Sequence, residues 1–318
     1  MSHFLTKIVG GQRSFCLSLC VTVFVAVLTG CNAPSSPSAS AGGQGPRVVT
    51  STTIFADFVR QVGRGRLASV DSIVQAGVDV EDYDPKPENI KNVAQADLVV
   101  YNGLALDRWI TKLVQGAKAG VSTLVLSDGL PVLGKGESED EDINKNGNPH
   151  FWLDVQYAKT YVQKIRDRLT ALDPQGGPVY AQNTTAYLAQ LDQLDASITQ
   201  QVAKIPPANR KLVTFHDAFP YLAARYGFLL VGVIAPSSGQ EPSPVELAEL
   251  VKKVKAANVR AVFSEAQFSP RLMQTLAQEA GVRTVVTDLY NDSLGDPPAD
   301  SYIGMMQHNI QQIVQALK

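Results

Sequence analysis

Cysteine is nearly absent from this chain. Cys16, Cys20 and Cys31 are its three cysteines, and all fall within the first 31 of 318 residues. Everything downstream must fold without a disulfide and can offer no thiolate to a metal or substrate. A metal site there has to be built from His, Asp, Glu or backbone oxygen. Histidine is scarce too, with four in all: His3, His150, His216 and His308. An excess of one charge is also missing, since 28 Lys+Arg against 30 Asp+Glu leave a net charge of −2. That balance lacks the basic stripe of a nucleic-acid binder. The sequence contains no H-E-x-x-H, no G-x-S-x-G and no Walker loop, the signatures of several common enzyme sites.

One apolar run stands out at the start. FCLSLCVTVFVAVL, residues 15–28, is too short for a membrane span and follows Lys7 and Arg13, as in a signal peptide. It ends in Leu28-Thr29-Gly30-Cys31, which resembles a bacterial lipobox. The expectation is a lipoprotein signal peptide over residues 1–30, cleaved before a lipid-modified Cys31. Residues 31–46, rich in Ser, Pro and Gly, then form a flexible tether to the folded body. The protein is expected outside the cytoplasm, held to a membrane by its lipid, at a cell surface or in a periplasm.

From residue 47 onward, strand-like and helix-like runs alternate. VVTST (48–52), DLVVYN (97–102), STLVLSD (122–128), KLVTFH (211–216), VRAVFSE (259–265) and VRTVVTD (282–288) read as strands. Patterns of helical period follow most of them, which predicts parallel strands with helical crossovers. Between the two blocks, Tyr187, Leu188, Leu191, Leu194, Ile198 and Val202 recur at threes and fours, as the face of one long helix. The expected fold is α/β: two lobes with parallel sheets flanked by helices, joined by a backbone helix. The divisions are 47–176 for the N-terminal lobe, 177–205 for the linking helix and 206–318 for the C-terminal lobe. LLVGVIAPSSGQEPSP (229–244) reads as a loop leading into a helix, and ESEDEDINKNGN (137–148) as a solvated acidic loop.

Polar residues gather where the strands end. KLVTF runs into His216, AVFS into Glu265 and TVVT into Asp288. The first block offers Glu81 after a strand and His150 in Asn-Pro-His. In open parallel sheets, ligands collect beyond the carboxyl ends of the strands, so two facing lobes bring these groups to one cleft. His308, on the last helix, reads as surface or structural.

Several motifs in order carry a resemblance: GVDVEDYDPKPENI, ADLVVYNGLALDRWI, NPHFWLDV, TFHDAFPYLAARYG, FSEAQFSP and TDLYNDSL. Together they are similar to the cluster A-I solute-binding proteins, the zinc and manganese receptors of bacterial ABC importers, over residues 47–318. The resemblance implies one divalent metal between the lobes, delivery to an ABC permease, and no enzymatic activity. It implies Glu81, His150, His216 and Asp288 as ligands, on a monomer with no nucleic-acid partner. Glu81 departs from the usual His of a G-x-D-x-H-x-Y-x-P frame that is otherwise kept by Gly77, Asp79, Tyr83, Pro85 and Pro87. Asp154, Asp217 and Glu265 are expected to hold imidazole N–H groups. Two imidazoles and two carboxylates favour Zn2+, with Mn2+ next and Fe2+ admitted. The competing readings are a secreted metalloenzyme and a metal-dependent surface adhesin on the same scaffold, and a siderophore or corrinoid receptor of the same architecture. Four protein ligands leave a catalytic zinc no open position, and strand-end His and Asp have no place in a siderophore or corrinoid pocket.

Overall fold

Short β-branched runs make most of the strands, and β1, β3, β5 and β7 are the most deeply buried of them. The computed structural model describes residues 43–117, 120–136, 141–235 and 242–318. The signal peptide, Cys31 and all of the tether before residue 43 lie outside the described residues. β1 (Arg47–Thr50), β2 (Ser69–Ser72), β3 (Leu98–Tyr101) and β4 (Ser122–Val125) form one all-parallel sheet in the order β2-β1-β3-β4. β5 (Lys211–Thr214) pairs in parallel with β6 (Leu229–Val233), and β7 (Ala261–Glu265) with β8 (Thr284–Leu289). β5 lies beside β7, which brings the two pairs together as the second lobe's central layer.

The helices connect these strands as the sequence predicts. They are α1 (Thr53–Gly63), α2 (Pro87–Gln95), α3 (Arg108–Gly116), α4 (Glu141–Asn146), α5 (Val155–Leu172), α6 (Gly177–Val202), α7 (Pro220–Tyr226), α8 (Pro244–Ala256), α9 (Arg271–Ala280) and α10 (Tyr302–Leu317). Two expectations need correction. Leu229–Val233 is a strand rather than a loop, because its apolar residues find a parallel partner in β5. Within the acidic stretch, Glu141–Asn146 folds as a short helix that buries Ile143, while Asp142 pairs with Arg108.

α6 is the backbone between the lobes. Its 26 residues span about 39 Å, and after Pro178 it contains neither Gly nor Pro, so nothing in its sequence kinks it. Tyr187, Leu191, Leu194, Ile198 and Val202 are buried on one face. That face packs on α1, α5 and α10 in the larger core. A second core, around Val213, Phe215, Val262, Met273 and Leu276, belongs to the C-terminal lobe.

The lobes are also tied by hydrogen bonds near the cleft. Trp152 Nε1 donates to Asn291 O at 2.6 Å, and Tyr302 Oη donates to Trp152 O at 2.7 Å. Asp57, buried on α1, accepts from Tyr302 N at 2.9 Å. These bonds fix the angle at which the strand ends of one lobe meet those of the other.

The buried face of α6 is expected to carry stability that its exposed face does not. Leu191→Ala should lower unfolding free energy by about 2–5 kcal/mol in urea titrations. The exposed Gln193→Ala should stay within about 0.5 kcal/mol.

Candidate metal centre

Glu81 sits on a loop that is braced at both ends. Gly77 adopts φ 74°, a left-handed conformation suited to glycine, and its N–H donates to Ser293 Oγ at 3.0 Å. Asp79 Oδ1 accepts from Glu81 N at 2.9 Å, and Trp109 Nε1 donates to Val80 O at 2.8 Å. Downstream, Pro87 opens α2 and Glu88 occupies its first turn, where an acid is favoured. The Glu81 carboxylate is thereby turned into the cleft instead of outward like its acidic neighbours.

His150 is placed by an asparagine. Asn148 Oδ1 accepts from His150 N and lies 3.0 Å from His150 Nδ1, so Nδ1 carries a proton and Nε2 faces the cleft. Asn148 Nδ2 donates to Asp217 O, and Asn102 Nδ2 donates to Pro149 O at 3.0 Å. His216 follows β5 and lies in the other lobe. Its Nδ1 is 3.3 Å from Glu265 Oε1, at the end of β7. The two imidazoles meet edge to face, with centroids 5.3 Å apart.

Glu81, His150 and His216 converge, each offering one donor atom within 4.8 Å of the others. A further carboxylate, Asp292, lies against both imidazoles. His150 Nε2 is 3.6 Å from Glu81 Oε1 and 3.2 Å from Asp292 Oδ1, and His216 Nε2 is 3.6 Å from Asp292 Oδ2. Two donors at bonding distance from one zinc-sized ion stand about 3.4 Å apart in tetrahedral geometry. The spacings from His150 Nε2 to Glu81 Oε1 and to Asp292 Oδ1 therefore match ligands around a shared cation.

The unmet polar atoms point the same way. His150 Nε2, Asp292 Oδ1 and both oxygens of Glu265 are buried and have no hydrogen-bond partner among the described residues. The imidazole contacts of Asp292 Oδ1 and Glu265 Oε1 leave these carboxylates short of hydrogen bonds, and a cation among the atoms would offset part of the cost of burying them. Burial raises the Glu81 pKa to about 7, against the pull of His150 and His216. Burial works to lower that of His216, but Glu265, Asp292 and Glu81 outweigh it and lift it to about 10. Asp292 is held below the usual range, since His150, His216 and Asn291 outweigh the effect of burial.

Asp288 is not brought to this cluster. Its carboxylate is about half exposed, lies 3.1 Å from His308 Nε2 and accepts from Gln312 Nε2. β8 runs on to Leu289, so Asp288 faces α10, and the following turn delivers Asp292 to the cleft. The motif TDLYNDSL contains both aspartates, and nothing in a strand pattern chooses between them. Among the expected imidazole holders, Glu265 stands beside His216. Asp154 instead caps α5, accepting from Gln156 N, and lies 3.7 Å from Arg225. Asp217 enters through its carbonyl, which accepts from Asn148. The group that holds the His150 ring is Asn148 of the N-P-H motif, an amide rather than one of the expected carboxylates.

The chain is similar to known metal-binding proteins. The family described as zinc-uptake complex component A, periplasmic, matches residues 48–316. The manganese-binding lipoprotein MntA of Halalkalibacterium halodurans is 33% identical over 308 residues, covering 96% of this chain and 99% of that protein. The metal ABC transporter substrate-binding lipoprotein FimA of Streptococcus parasanguinis is 30% identical, covering 93% and 97%. Among solved structures, the periplasmic zinc-binding protein TroA of Treponema pallidum superposes with a TM-score of 0.77 at 29% identity, over 86% of this chain and 99% of that one. A manganese-bound periplasmic metal-binding protein from Candidatus Liberibacter asiaticus gives 0.77 at 27%, with the same coverage.

Ion binding at these donors should expel protons. At pH 7 the empty site retains protons on His216, whose pKa is lifted to about 10, and in part on Glu81, whose pKa is raised to about 7. Calorimetric titration in buffers of differing ionisation enthalpy should show protons released on ion binding at pH 7. The release should fall as the pH rises and Glu81 ionises. Absence of release would contradict the arrangement.

Proposed function

The chain belongs to the periplasmic zinc-uptake component A family, and we propose that Glu81, His150, His216 and Asp292 capture one divalent transition metal for an ABC permease. It is a substrate-binding protein of a metal ABC transporter and not an enzyme. The observation that carries the ligand assignment is the approach of Glu81 Oε1 and Asp292 Oδ1 to His150 Nε2, at 3.6 and 3.2 Å, with His150 Nε2 and Asp292 Oδ1 buried and without a hydrogen bond among the described residues. Asp292, and not the expected Asp288, is the proposed fourth ligand.

Zinc is the ion we infer to bind most tightly. Two nitrogens and two carboxylates satisfy a tetrahedral zinc, and affinity at a given N/O site rises from manganese to zinc. Manganese is named for MntA and other relatives, and an oxygen-rich set of this kind admits it. Which ion is carried in the cell then depends on availability as well as affinity. The lipid on Cys31 and the tether through residue 46 would hold the protein at the outer face of the cytoplasmic membrane or at the cell surface, as a monomer. Among the described residues no helix is long and apolar enough to cross a membrane.

Capture and release follow from the mechanics of the fold. α6 resists bending, and the Asp292 loop is fastened to the N-terminal lobe through Trp152, Gly77 and Thr53. The lobes therefore divide near 176 and 206 but move little, and the ion leaves by local motion of the ligand loops.

Purified protein should bind Zn2+ and Mn2+ at one site, with Zn2+ the tighter in competition against a chelator. Glu81→Ala and Asp292→Ala should each weaken binding by more than about 100-fold, beyond the loss typical of an outer-sphere partner. Asp288→Ala should keep affinity within about threefold, since it loses no donor. Full affinity in Asp292→Ala together with loss in Asp288→Ala would reverse the assignment. Hydrogen exchange on metal binding should be slowed at residues 77–85, 148–153, 215–219 and 290–294. Protection spread evenly over both lobes would indicate closure of the whole cleft instead.

A further inference from the structure

The two oxygens of Asp292 share a carbon but not an environment. Oδ2 accepts from Asn291 Nδ2 at 3.1 Å and from Gln267 Nε2 at 3.3 Å. Oδ1 has no hydrogen-bond partner among the described residues and faces His150 Nε2 at 3.2 Å. Gln267 Nε2 also donates to Asn291 Oδ1 at 2.7 Å, which sets the sense of the Asn291 amide. Turned over, its oxygen would meet the Asp292 carboxylate and its NH2 would meet that of Gln267. Asn291 is fully buried, and Trp152 pins its backbone carbonyl. Its Nδ2 lies 3.0 and 3.5 Å from the two ring nitrogens of His216, so it rests across the ring and leaves the outward Nε2 lone pair open.

We propose that Asn291 and Gln267 determine ion preference, acting as an amide brace that leaves Asp292 a single metal-binding oxygen, Oδ1. This rests on the metal-binding reading above and specifies selectivity within it. An oxygen that already accepts two hydrogen bonds has less lone-pair density to offer a cation. Oδ2 nevertheless stands 3.6 Å from His216 Nε2, the spacing of two ligands on one ion, so it is near enough to coordinate once released. With the brace, the donor count stays low and suits zinc, which is satisfied by four ligands. Manganese favours more oxygen donors and bears the larger penalty. Neither amide is itself a ligand; both act through Asp292.

The test compares full-length wild type with Gln267→Leu and with the double variant Gln267→Leu/Asn291→Leu. Dissociation constants for Zn2+ and Mn2+ are read by chelator competition, and the Mn2+ coordination shell by X-ray absorption. The double variant should bind Mn2+ about tenfold more tightly and Zn2+ within about threefold of wild type, the change expected from one charge-assisted hydrogen bond. Its Mn2+ shell should gain one oxygen. Gln267 is only half-buried, so Gln267→Leu alone should fold and shift in the same direction by less. Equal shifts for both ions in either variant, or an unchanged Mn2+ shell in the double variant, would overturn the proposal. Wild type that binds neither ion would overturn the metal-binding reading itself.

Discussion

Two imidazoles and three carboxylates share one buried volume where the lobes meet. Glu81, Asp292 and Glu265 bring more negative charge than His150 and His216 can match, even with a proton on each ring. In a low-dielectric interior such an excess is tolerable only if protons or a cation supply the balance. The raised pKa of Glu81 and of His216 is the proton-borne solution. A divalent ion among the same atoms is the other. Competition between protons and metal for one set of oxygens and nitrogens is thus built into the cleft.

The rest of the architecture keeps that cluster assembled. The four-stranded sheet and its loops present Glu81 and His150, and β5 and β7 present His216 and Glu265. α6 runs between the lobes and packs on α1, α5 and α10. The loop bearing Asp292 belongs by sequence to the C-terminal lobe, yet its hydrogen bonds run to Trp152, Gly77 and Thr53. Asp292 is therefore mechanically part of the N-terminal group. His216, on the short turn after β5, is the donor held from the opposite side.

Much of this was legible in the residues. The strand and helix alternation predicted most of the elements, since buried central strands such as Leu98–Tyr101 and Ala261–Glu265 read as nearly continuous apolar runs. Leu229–Val233 escaped because a short run with Gly232 in it resembles a loop until its pairing partner is known. Glu81, His150 and His216 could be named from strand ends and motif resemblance. Asp292 could not be told from Asp288, four residues away in the same motif. A strand pattern gives which residues lie near its end, but the side-chain direction after the last ladder bond depends on the turn that follows.

The amino-acid sequence by itself determined the chemistry available: no thiolate after Cys31, few histidines, carboxylates at strand ends, and a long stiff helix between two α/β blocks. These follow from composition and periodicity, which act locally. Tertiary structure alone decided which aspartate enters the cleft, that Asn148 rather than a carboxylate orients His150, and that Asp292 presents its two oxygens unequally. Those outcomes depend on contacts between residues far apart in the chain, where the path of the backbone sets each side chain's reach.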